Sequence, residues 1–151
     1  MNAEPRHWLV KSEPTSYSID DLKKDKKTPW TGVRNYTARN FMRDSMQPGD
    51  PVLFYHSSCP VPGVYGIAKV ASASYPDPTQ FDRSSRYYDP KATAEKPIWY
   101  VVDIAFVKKL AEPVTLEQMK QDPRLKDMEL LRKGNRLSVM LLSRKNFLVI
   151  E

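Results

Sequence analysis

Val52-Leu53-Phe54-Tyr55-His56-Ser57, the turn Pro60-Val61-Pro62-Gly63, and then Val64-Tyr65-Gly66-Ile67-Ala68-Lys69-Val70 decide the fold class of this 151-residue chain. In the first run Val52, Phe54 and His56 alternate with Leu53, Tyr55 and Ser57, the two-residue period of a strand. The second run continues the pattern to Ser74, with Val64, Gly66, Ala68 and Val70 expected on one side. Working toward the N-terminus, Asn35 can cap a helix that places Ala38, Phe41, Met42 and Ser45 on one face and Arg39 and Arg43 on another. Ser18 with Asp21 three residues on forms a capping box for a short helix at residues 19–24, and His7 to Lys11 reads as a first strand. Toward the C-terminus, a long loop at residues 75–96 precedes strands at residues 98–107 and 135–141. Thr115 with Gln118, and Ser143, open two further short helices. Short strands with inserted rather than alternating helices predict an α+β mixed β-barrel with helices packed around it, as one domain over residues 1–151.

The composition bounds the function. One cysteine, Cys59, makes no internal disulfide and fits a reducing compartment. No apolar run approaches the ~18 residues of a membrane span, and Met1 to Arg6 lacks the layout of a secretory signal. The expected address is the cytoplasm, or the nucleus in a eukaryote, and the expected state is a monomer. The net charge is +6 and the isoelectric point about 9.4, with the excess shared equally by the two halves. A dispersed positive surface suits a polyanionic partner, DNA or RNA, and equally describes an ordinary solvated basic surface.

Reading a base taken out of its strand requires a stacking face, polar groups for the base edge and cations for phosphates. Trp30, in a polar stretch before the Gly32 turn, can supply the ring, though composition alone favours a core tryptophan there. Trp8 and Trp99 fall within apolar strand patterns and read as core. Asn35 can read a base edge or simply cap its helix; Arg34 and Arg39 suit phosphates or internal pairing. Lys11, Ser12 and Glu13 end a strand at a barrel rim. Cys59 follows His56 by three residues without an orienting third group, a weak nucleophilic site. Two histidines and one cysteine give no zinc spacing, so neither metal nor cofactor is expected.

Three ordered stretches carry a resemblance: Trp8-Leu9-Val10-Lys11-Ser12-Glu13-Pro14, Tyr17-Ser18-Ile19-Asp20-Asp21-Leu22, and Trp30-Thr31-Gly32-Val33-Arg34-Asn35-Tyr36. Tyr75-Pro76-Asp77-Pro78-Thr79, Tyr87-Tyr88-Asp89 and Arg136-Leu137-Ser138-Val139 continue it. On these motifs the chain resembles the EVE domain, a PUA-like barrel, over nearly its whole length. Lys11-Ser12, Trp30, Ser57 and Gly66-Ile67-Ala68 are also similar to the pattern of YTH readers, where the tryptophan is one wall of an aromatic cage. The resemblance implies a non-catalytic domain that binds nucleic acid and seats a modified base. It implies a base-sized pocket bounded by Lys11-Ser12, Trp30 and the Ser57 strand end. The candidate ligand-binding residues are Lys11, Ser12, Glu13, Trp30, Val33, Arg34, Asn35, Tyr36, Arg39, His56, Ser57, Tyr88 and Arg136. Two other classes stand beside it: a small ASCH-like nucleoside hydrolase using Lys11 and Glu13, and an adaptor whose basic face binds a protein.

Overall fold

The structure, a computed structural model, describes residues 5–135 and 137–151; the expectation for Arg136 lies outside them. The chain runs β1 (His7–Ser12), α1 (Ile19–Asp25), β2 (Lys27–Pro29), α2 (Tyr36–Asn40), β3 (Pro51–His56), β4 (Gly63–Val70), β5 (Tyr75–Pro76), β6 (Tyr100–Val101), β7 (Asp103–Thr115), α3 (Leu116–Gln121), β8 (Val139–Leu142) and α4 (Arg144–Ile150). Six strands form one mixed sheet in the order β2-β7-β4-β3-β1-β8, while β5 and β6 pair separately. Among the described residues only β1 and β3 run parallel. The sheet curls into a half-barrel.

Strand alternation divides the apolar residues between two cores. Trp8, Val10, Val52, Phe54, Ala68 and Val70 face one, with Trp30 and Ile19. Leu9, Leu53, Tyr55 and Ile67 face the other, covered by Met119, Leu125, Met128 and Phe147. The single face expected for Val64, Gly66, Ala68 and Val70 is broken by a bulge between Val64 and Gly66, which sends Val64 into the second core. Such bulges also increase twist. At Gly66 a Cβ would sit 2.4 Å from Ile19 Cδ1, so the missing side chain lets α1 close over the sheet.

Other boundaries moved. The strand expected at residues 64–74 ends at Val70, and the one expected at residues 98–107 divides into β6 and a β7 that continues to Thr115. The last strand is only Val139–Leu142, and β2, unforeseen, pairs with β7 at the sheet edge. The four caps hold as read: Ser18 and Thr115 make complete capping boxes, and Asn35 and Ser143 accept from Ala38 and Asn146. Helix α2 passes into a π-type turn, Phe41–Ser45, that ends as Met46 N–H donates to Phe41 O at 2.8 Å.

Candidate nucleic-acid-binding site

Where β1 ends, the β2–α2 segment and the loop after Asp82 face it across a cleft of about 510 Å³, within the roughly 300–1,000 Å³ typical of ligand sites. Lys11, Ser12, Glu13, Ser16, Tyr17, Thr28, Pro29, Trp30, Thr31, Gly32, Val33, Arg34, Arg86, Tyr87 and Ser138 line it. Trp30 serves two masters. It belongs to the first core, 8% exposed, and meets Phe54 edge-on at 5.6 Å. It also borders the cleft, where Tyr17 stands nearly perpendicular to it, 6.5 Å away at 85°.

The β1 end is held by backbone bonds, Lys11 N–H to Ser138 O at 2.8 Å and Ser57 N–H to Ser12 O at 3.0 Å. Ser12 Oγ donates to Tyr17 O at 2.7 Å, which leaves its lone pairs to accept from a ligand. Lys11 and Glu13 form no ion pair among the described residues. Lys11 Nζ lies 6.0 Å from the Tyr55 ring centre, and burial pushes its ammonium below the ordinary 10.5. The Tyr17 hydroxyl, pushed up to about 12 by burial and by its bond to Asp25, stays protonated.

The opposite wall is organised by Asp77. Its Oδ2 accepts from Gly32 N–H at 2.9 Å and from Arg34 Nη1 at 3.1 Å, and its Oδ1 accepts from the Thr79 amide and hydroxyl at 2.8 and 2.6 Å. Burial raises the Asp77 carboxyl, but the bonds from Thr79, Gly32 and Arg34 prevail and hold it below its usual range. Gly32 has φ +82°, and a Cβ there would lie 2.6 Å from the Tyr87 ring, so both backbone and packing require glycine. Gln80, wholly buried, accepts from the Ile98 and Trp99 amides and donates to Asp77 O and Trp99 O. Asp89 accepts the Trp99 indole N–H at 2.8 Å.

This network redirects several sequence expectations. Arg34 lines the cleft, but Nε and Nη2 bond Tyr87 O, Nη2 also bonds Thr79 Oγ1, and Nη1 bonds Val33 O and Asp77. A guanidinium carries five N–H groups, and all are engaged, so Arg34 positions the wall instead of meeting a phosphate. It carries Tyr87, not the expected Tyr88, to the cleft. Asn35 is exposed, its side-chain carbonyl accepts Ala38 N–H as a helix cap, and it does not line the cleft. Tyr36 and Arg39 lie beyond the cleft, as do His56 and Ser57. His56 is 6% exposed, stacks on Tyr65 at 4.1 Å and accepts Ile19 N–H at 3.1 Å, fastening α1. No hydrogen bond joins it to Cys59 among the described residues. Lys11, Ser12, Glu13, Trp30, Val33 and Arg34 are brought together as expected. Tyr17, Arg86 and Ser138 were missed as lining residues, although Tyr17 and Ser138 lie inside the motifs that carried the resemblance.

A mixed curled sheet with this cleft defines a PUA-like domain, and the comparisons make it specific. The EVE domain model matches residues 6–151, and the chain belongs to that family. Human thymocyte nuclear protein 1 is 39% identical over 93% of this chain and 70% of its own length. Its structure in complex with 5-methylcytosine-containing DNA superposes with TM-score 0.88 at 37% identity, over 96% of this chain and 95% of that one. A protein from Pseudomonas syringae reaches TM-score 0.91 at 48% identity, over 95% and 96% of the two chains. An ASCH protein from Zymomonas mobilis shares the fold alone, at 11% identity, TM-score 0.51 and 95% coverage of each chain. No helix among the described residues is long and apolar enough to cross a membrane.

Proposed function

We propose that this domain is a non-catalytic reader that seats one modified nucleobase of DNA or RNA in the cleft bounded by Trp30 and Tyr17. The observation that carries it is the meeting of those two rings at 85° in a cleft lined by Lys11, Ser12 and Arg86. An indole face takes a base by stacking. Ser12 offers lone pairs to an exocyclic amine, and Lys11 and Arg86, both without an ion pair among the described residues, offer charge to phosphate. The relative's complex with 5-methylcytosine-containing DNA supports that class of ligand and suggests the first one to try. The site of action would be the cytoplasm, or the nucleus in a eukaryote.

The ASCH-like hydrolase is the weaker reading. Glu13 is exposed and unpaired with Lys11, so no Lys–Glu dyad is assembled, and His56 Nε2 is occupied by Ile19 N–H. The test is competitive binding of single-stranded oligonucleotides that differ only in 5-methylcytosine against cytosine. A buried methyl gains about 0.8 kcal/mol, so the expected preference is roughly fourfold. Equal affinity for 5-methylcytosine and cytosine would remove 5-methylcytosine as the base read. Equal affinity across a panel of modified and unmodified strands, or turnover of the free nucleoside, would overturn the reader model.

A further inference from the structure

From the cleft wall outward, stacked cations and rings form one continuous run. Arg86 lies over the Tyr87 ring at 4.9 Å, and Arg34 lies over both Tyr87 and Trp99, at 5.4 and 5.1 Å. Tyr36 stacks on Trp99 at 5.0 Å and 18°, and Arg39 lies over Tyr36 at 4.8 Å. The inner members are fixed. Trp99 is 6% exposed with its indole N–H on Asp89, and every N–H of Arg34 is engaged. The outer member is open: Tyr36 is 59% exposed although it touches both Trp99 and Arg39. Arg39 is held by neutral acceptors, Ile98 O and Asn40 Oδ1, and forms no ion pair among the described residues.

We infer that Tyr36 and Arg39 form a second nucleotide station, which stacks a base neighbouring the one in the cleft and holds its phosphate. This deepens the reader model and rests on it. A large ring that remains exposed while its orientation is fixed from below offers a stacking platform at little ordering cost. The guanidinium beside it has N–H groups left over for a phosphate oxygen, since five donors meet three bonds. The alternative is that Tyr36 merely covers Trp99. Leucine would still cover the indole but could not stack a base.

The experiment measures binding of 5-methyl-dCMP and of a single-stranded 5-methylcytosine oligonucleotide to wild type, Tyr36→Leu, Tyr36→Phe and Arg39→Gln, with melting of each variant. The station predicts that Tyr36→Leu loses roughly tenfold on the oligonucleotide, leaves the mononucleotide unchanged and melts like wild type. Tyr36→Phe should bind both probes as wild type does, and Arg39→Gln should weaken only the oligonucleotide. Undiminished oligonucleotide binding by Tyr36→Leu would overturn the station while leaving the cleft reading intact. Failure of the wild type to bind either probe would overturn both, and is distinguishable because no variant is involved.

Discussion

The loop wall of the cleft and its strand-end wall differ in where their polar groups point. On the loop wall, Asp77, Arg34, Gln80 and Asp89 bond one another, the backbone or the Trp99 indole. On the strand-end wall, Lys11 has no ion pair among the described residues, and Ser12 keeps unused lone pairs. A satisfied wall is rigid, and a wall with groups in reserve can read a ligand. The contrast assigns stability to the first and affinity to the second.

The largest effect should come from breaking the loop wall. Four donors aim at the two oxygens of Asp77, so Asp77→Asn must turn an amide NH2 toward two of them. Removing one partner of a buried pair costs about 3–5 kcal/mol, which lowers the melting temperature of a domain this size by more than ~6 °C. Thermal melting checks it, and an unchanged melting point would mean the wall is not held through this carboxylate.

Salt tests Lys11 and Arg86 at the cleft and Arg39 at the second station together. With about three phosphates neutralised on a single strand, the log–log slope should be near ~−2, a roughly 15-fold loss between about 50 and 200 mM salt. Titrations at several ionic strengths measure it. A slope near zero would remove phosphate contact from the account.

Acid should loosen α1, whose first residue is fastened to β3 through His56. Burial, together with Lys109, holds the His56 imidazole below its ordinary 6.5 despite opposition from Asp20. The neutral ring that accepts Ile19 N–H is thus the native form. The unfolded chain takes up the proton first, so stability is full above 6.5 and declines as pH falls toward the depressed native value. The slope is at most about 1.4 kcal/mol per pH unit. Urea unfolding across that range should show the decline in wild type and a flatter profile in His56→Gln, whose amide oxygen can still accept.

The smallest effect belongs to one rim cation. Lys11→Met should melt as high as wild type, because it removes a half-buried charge without an ion pair, and should bind a 5-methylcytosine strand roughly fivefold more weakly. Wild-type binding should also weaken as pH rises toward 10.5, since the ammonium titrates below that value, and Lys11→Met should lose this dependence.

How much of this was legible follows from the range of each interaction. The helix caps were readable because Ser18 and Asp21, or Thr115 and Gln118, meet within one turn. Strand β3 was readable as a short apolar run, and its residues alternate between the two cores. The bulge at Val64 and Gly66 was not, since it depends on the partner strand and on Ile19 filling the space over Gly66. Strand β2 was hidden because three residues at an edge carry no period. In the cleft, the motif at Trp30 to Arg34 was visible, but the direction of Arg34 was not. Its partners Asp77 and Tyr87 are 43 and 53 residues away, and the same distant carbonyl bond puts Tyr87 rather than Tyr88 at the wall. The cap role of Asn35 was legible because its bond to Ala38 is local.

The central claim is that a base enters the cleft between the two walls. The most direct measurement is an amide NMR titration of the wild-type chain with 5-methyl-dCMP, a probe too short to reach the second station. The account predicts shifts concentrated at Lys11 to Glu13, Tyr17, Trp30 to Arg34, Arg86, Tyr87 and Ser138, with the Trp30 indole N–H among the largest. Shifts confined to α4 and β8, or spread evenly over exposed lysines, would contradict it.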